Sequence, residues 1–152
     1  MTMEKYAFVK RSDDHYDFIS EGPNGNIIKM VEFFKLPESE SEIFNLGFGD
    51  WDEAGVRFDD QSISNNSDRD KILGTVASTV IDFMQHHPNV FIAASGSTPS
   101  RTRLYQMSIA KTLDEINERF EIDGWINEAW QPFQKGVNYK RFLLKNKQYS
   151  NN

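Results

Sequence analysis

The sequence predicts an α+β domain: a mostly antiparallel sheet with two main helices packed on it, strands first, then helix, strand, helix and strands. Three observations carry that expectation. Phe44, Leu46 and Phe48 alternate with Asn45 and Gly47, which is the period of a half-buried strand. Ile72, Val76, Val80 and Phe83 recur at steps of four and three, the period of a helix with one apolar stripe. Residues 89–94 form a short, nearly all-apolar run behind Pro88, as expected of a central strand.

Each element follows from local chemistry. Tyr6-Ala7-Phe8-Val9 and Tyr16-Asp17-Phe18-Ile19 are aromatic and β-branched runs that read as strands. Gly22, Pro23, Asn24 and Gly25 supply a turn. Residues 27–34 then place Lys29, Val31 and Phe33 on one face and Ile28, Met30 and Phe34 on the other. Residues 43–63 read as a β-hairpin with a turn near Trp51 to Gly55. The first helix is expected over 68–87, capped by Ser67 or Asp68 and stopped by Pro88. Gly74, Ala77 and Ser78 would let it approach a sheet closely. The second is expected over 98–119, with the Thr98 hydroxyl at the cap, Pro99 at the first helical position, and Tyr105, Ile109, Leu113, Ile116 and Phe120 on its apolar face. Residues 122–126 and 130–133 read as strands, and 138–147 fit either strand or helix. Residues 1–148 are expected to form one domain, and 149–152 a frayed tail.

Composition narrows the function. The chain has 152 residues, 38% of them hydrophobic and 13% aromatic, with a net charge of -6. That is enough apolar material to fold without a disulfide or metal staple. With no cysteine there are no disulfides, thiolate metal sites or cysteine nucleophiles, which fits a cytoplasmic protein. No apolar run approaches the roughly 18 residues of a membrane span, so no membrane is expected among its partners. His15, His86 and His87 are the only histidines, and no metal site is expected. The residues from Asp50 to Gly55 echo a calcium loop, but Ala54 and Gln61 stand where ligands are needed. Residues 38–60 hold eight acids and one base, whereas 134–148 hold five bases and no acid. Overall acidity argues against a nucleic-acid coat, though it leaves room for a local basic patch.

The most informative segment is residues 95–105, Ser95-Gly96-Ser97-Thr98-Pro99-Ser100-Arg101-Thr102-Arg103-Leu104-Tyr105. It joins a central strand to a helix, and an open helix start presents unpaired N–H groups and partial positive charge to anions. Gly96 permits close approach, while Ser95, Ser97, Thr98 and Ser100 supply hydroxyls. Arg101 and Arg103 place two cations where the helix dipole disfavours them. A phosphate or carboxylate ligand, or a nucleotide, would compensate them. So would the protein's own acids at Asp50, Asp52, Asp59 or Asp60, with Arg101 covering the core by its stem. Trp125, Trp130 and Phe133 suit either stacking or the core. No cofactor is named by these residues, and they leave open whether the protein is an enzyme.

Two resemblances add to this reading. Ser64-Asn65-Asn66, the residues Gly74 to Val80, Asp82-Phe83, Gly96-Ser97-Thr98-Pro99 and Arg101 to Tyr105 resemble an uncharacterised family of short bacterial proteins, known only as a domain of unknown function and frequent in Bacteroidetes. That resemblance covers nearly the whole chain and implies a bacterial origin but no activity. From Phe44 onward, the order hairpin, helix, strand, helix, two strands is similar to the second half of acetyl-CoA-dependent N-acetyltransferases, with Ala94-Ser95 and Arg103-Leu104-Tyr105 at the corresponding strand-to-helix stretch. This second resemblance implies Tyr105 as a general acid. It departs at the pyrophosphate loop, where Ile72 replaces the first glycine, and at Ile109-Ala110. A third expectation is a protein-interaction component of a small operon, toxin–antitoxin-like, acting as a homodimer or with an operon partner.

Overall fold

Alternating side chains and tight turns organise the first strands. The structure, a computed structural model, describes residues 4–37, 42–52, 55–57, 67–96 and 98–147. Strand β1 (Val9–Ser12) pairs antiparallel with β2 (His15–Gly22), which pairs antiparallel with β3 (Gly25–Lys35). Tyr6, Ala7 and Phe8, expected in the first strand, precede it. The β2–β3 register sets Gly22 opposite Gly25, whose φ of +88° suits a residue without a side chain. It also sets Tyr16 opposite Val31 and Phe18 opposite Lys29; Lys29, Val31 and Phe33 share one face, as expected, and all three are buried.

Strand β4 (Ile43–Asp52) forms a hairpin with β5 (Gly55–Arg57), pairing Trp51 with Val56. The rest of the expected hairpin, residues 58–63, lies outside the described residues. Helix α1 (Arg69–His86) follows, then β6 (Phe91–Ala94) and α2 (Pro99–Lys111). The second helix is not continuous to residue 119. Thr112 breaks it, and a short α3 (Leu113–Arg119) completes the span. At the break the Thr112 hydroxyl donates to the Ser108 carbonyl at 2.8 Å, a competition that hydroxyl side chains offer helices. Strands β7 (Phe120–Ile126), β8 (Ala129–Pro132) and β9 (Arg141–Asn146) end the fold, so the C-terminal run is a strand. Between β7 and β8 lies a two-residue turn with φ of 54° at Asn127 and 61° at Glu128, the mirror-image turn that matches hairpin twist.

The strands are ordered β1-β2-β3-β4-β6-β9-β7-β8, with β5 on β4. The pair β4–β6 is parallel, whereas β6–β9, β7–β9 and β7–β8 are antiparallel. The sheet is mostly antiparallel and the fold is α+β. The described chain divides into two compact units.

One unit comprises residues 2–34 and 46–83. Its core contains Tyr16, Phe18, Val31, Phe33, Phe48, Ile72 and Phe83, with the Phe33 and Phe83 rings stacked 4.2 Å apart. Two tyrosines tie strand-side chain to α1. The Tyr6 hydroxyl donates to Asp68 at 2.5 Å, and the Tyr16 hydroxyl donates to Asp82 at 2.6 Å. Burial, reinforced by those carboxylates, raises the pKa of both phenols. Lys29, fully buried, donates to Asp50 at 2.6 Å.

The other unit comprises residues 1, 35–45 and 84–152. Its core is Ile122, Phe133, Tyr139 and Phe142, covered by Tyr105, Ile109, Leu113 and Ile116 from α2 and α3. The Tyr139 ring lies so close over Gly124 that a Cβ there would clash with its carbons. A glycine is required by that approach.

Candidate anion-binding site

Strand β6 delivers Ser95 and Gly96 to the end of the sheet, and the chain turns there into α2. Thr98 is placed as the sequence predicts: its carbonyl accepts from the Thr102 N–H at 3.0 Å, and Pro99 opens the helix. A buried hydroxyl, that of Thr102, closes the turn. It accepts the Gly96 N–H at 3.0 Å and donates to the Thr98 carbonyl at 3.2 Å. Ser95, Thr98 and Ser100 are exposed, and Gly96 is half-buried. Ser97 lies outside the described residues, as does the side chain of Arg101.

Arg103 stands exposed one turn into α2 and makes no ion pair or hydrogen bond with a described residue. The first turn of α2 carries no acid. Asp50, one of the acids available to neutralise an arginine, is instead engaged by Lys29. Tyr105, one turn from Thr102, is half-buried against the aromatic core of its unit.

Sequence reasoning passed over Thr102 and Gln106. Both are buried polar residues on α2, each 8% exposed. A polar side chain that deep needs partners. Gln106 finds three of them: its amide donates to the Val137 carbonyl and the Asn138 side chain, and its carbonyl accepts the Tyr139 N–H at 2.8 Å. Helix α2 is thereby bound to the segment leading into β9. That segment presents Lys140 and Arg141, both exposed. The Arg141 guanidinium lies 5.0 Å from the Trp125 ring and 5.6 Å from the Trp130 ring, and the two indoles meet edge to face at 5.2 Å.

A concavity of about 610 Å³ opens at the start of α1. Glu4, Glu21, Asp68 and Asp70 contribute four acids to its lining, against Arg69 and Lys71. The Lys71 ammonium sits 4.2 Å from the Tyr6 ring centre. Tyr6 and Ser20 both donate to one oxygen of Asp68, at 2.5 and 2.6 Å, and its other oxygen is buried with no hydrogen-bond partner. Among the described residues, no three His, Asp or Glu side chains are grouped to hold a metal ion, and no helix is long and apolar enough to cross a membrane.

The fold and site together define an α+β protein with a cationic, acid-free helix start at one end of a mostly antiparallel sheet. A family model described as a family of unknown function, DUF6934, matches residues 2–147, and the chain belongs to that family. No curated protein and no solved structure matches it.

Proposed function

We propose that the protein binds a small phosphate-bearing or other anionic ligand at the turn formed by residues 95–103. The observation that carries the reading is Arg103: an exposed guanidinium without an internal partner among the described residues, beside a helix start with no acid of its own. In this reading Ser95, Ser97, Thr98 and Ser100 offer hydroxyls, Gly96 gives the ligand room, and Arg101 and Arg103 neutralise it. The Thr102 bond to Gly96 holds the turn in shape before the ligand arrives.

Thermal denaturation with phosphate, nucleotides, coenzyme A and short RNA tests this. A ligand at a hundred times its Kd adds about 2.7 kcal/mol, or roughly 5–10 °C at about 2–4 °C per kcal/mol. The paired change Arg101→Ala and Arg103→Ala should abolish that gain. If none of the ligands stabilises the fold, the reading is wrong.

A degenerate acyltransferase using Tyr105 is the second reading. The parallel neighbours β4 and β6 favour it, joined as they are through α1 and followed by α2, in the element order of the N-acetyltransferases. Against it stand the four acids lining the cleft at the start of α1, where a pyrophosphate would have to lie. An acetyl-CoA hydrolysis or transfer assay in which Tyr105→Phe matches the unaltered protein would dismiss it.

A further inference from the structure

The strands of the unit built on residues 2–34 and 46–83 have two faces, and α1 covers one of them. Tyr16, Phe18, Lys29, Val31 and Phe33 lie on the helix side, where Phe33 stacks on Phe83 of α1. Alternation turns Asp17, Ile19, Ile28, Met30 and Glu32 to the other side. Strand β4 continues that second face. At the end of β3 the Leu36 N–H donates to the carbonyl of Ile43 at the start of β4, at 2.8 Å, so these two residues are opposite each other in an antiparallel pair. The same register brings Lys29 to Asp50, whose side chains meet at 2.6 Å, and Ile28 to Trp51. Ile19 is opposite Ile28, so Ile19, Ile28 and Trp51 form one row across three neighbouring strands.

The row is apolar and open. Ile19 is 48% exposed, Ile28 39% and Trp51 44%. Met30 stands one step along the same face, opposite Asp17. Val9, opposite Asp17 on β1, is also exposed and extends the apolar surface. One exposed hydrophobic side chain is ordinary, but contiguous ones on neighbouring strands mark a contact surface. Charge does not compete with it. Arg11 neutralises Asp17 at 2.7 Å, and Glu32 lies 3.5 Å from the His15 ring. A face whose acids are already answered is complementary to another uncharged, apolar face rather than to a polyanion or a basic peptide.

We propose that this face is an interface between two copies of the chain, with Trp51 of each resting on Ile19 of the partner subunit. A two-fold axis along the strands at Ile28 reverses the row and produces that pairing, the largest side chain against a smaller one. The same axis stacks the two sheets with their strands nearly aligned, a standard packing of sheet on sheet. The area agrees. Strands β2 to β4, with the shorter β1 and β5 at the margins, offer roughly 500 Å² of sheet per copy at about 4.8 Å between strands and about 3.3 Å per residue. Two such faces bury about 1,000 Å², the threshold of a specific interface and the size of a weak, reversible one. The dimer therefore forms and dissociates with concentration.

Analytical ultracentrifugation of the full chain from about 1 µM to about 1 mM reads the equilibrium. A dimer is expected at the upper end, and Trp51→Lys should raise its dissociation constant about thirtyfold or more, as for a hot-spot aromatic. Met107→Lys, which alters a more exposed apolar side chain on α2, should leave it unchanged. Ile19→Lys should act as Trp51→Lys does, and provides the readout if that variant fails to fold. An equimolar mixture of the Ile19→Lys and Trp51→Glu proteins, each monomeric alone, should recover a heterodimer, because opposite charges then meet across the axis. A monomer throughout the range overturns the proposal, as does a dimer indifferent to Trp51→Lys and Ile19→Lys. Failure of the mixture to associate overturns the two-fold pairing. A monomer that co-sediments with phosphatidylcholine vesicles overturns the second copy as the occupant.

Discussion

Gly124→Ala tests how the fold positions Arg141 and its neighbours. A Cβ built on Gly124 would lie 2.2 Å from Cγ of the Tyr139 ring, which is itself 5% exposed. That ring cannot swing away freely. Its hydroxyl accepts the Gln134 N–H at 2.9 Å, its backbone N–H is held by Gln106 at 2.8 Å, and its face packs on Phe133 at 5.2 Å. Overpacking of this kind costs about 1–3 kcal/mol, and losing the Gln134 bond adds about 1 kcal/mol. The sum is about 2–4 kcal/mol, which lowers the melting temperature by roughly 5–15 °C for a chain of this size. Calorimetry or near-ultraviolet circular dichroism measures it. The decisive comparison is a double-mutant cycle. In a Tyr139→Ala background the same Gly124→Ala change should cost less than about 0.5 kcal/mol, because the clash is gone. Equal costs in both backgrounds would refute the reasoning, as would a Gly124→Ala protein that melts with the parent.

Three further outcomes are expected. Thr102→Val removes the acceptor of the Gly96 N–H at constant shape, so stability should drop by about 1–2 kcal/mol and the Gly96 amide should exchange faster with solvent. Both phenols tied to α1 have pKa values raised above 10.0, so the native state keeps protons that the unfolded chain releases. Stability is whole below about pH 10 and should fall as pH rises beyond it; Tyr16→Phe should flatten that fall in urea midpoints, and an unchanged slope would contradict the assignment. Arg103→Ala should leave the stability without ligand within about 0.5 kcal/mol of the parent, since exposed, unpaired side chains contribute little, while weakening phosphate binding.

Much of this architecture is written in local chemistry. The cap at Thr98 with Pro99 behind it, the stop at Pro88 and the alternation in β3 each depend on residues within a few positions, and each element lies where that chemistry puts it. The break at Thr112 was not legible, because Ile109, Leu113 and Ile116 keep helical spacing straight through it. The positive φ at Glu128 was hidden by a residue type that seldom adopts it. Of the candidate site, the helix start was legible and its surroundings were not. Gln106 reaches Val137 across 31 residues, and Trp125, Trp130 and Arg141 meet only through strand register, which no local signal fixes. The exposed state of Arg103 depends likewise on where every acid ends up, as the engagement of Asp50 by Lys29 illustrates.

The most direct measurement is an amide chemical-shift titration with inorganic phosphate. Saturable shifts confined to Gly96 and to residues 98–103, absent in the Arg103→Ala protein, are what the account predicts. Shifts scattered over the basic strand β9 without saturation, or no shift at the start of α2, would contradict it.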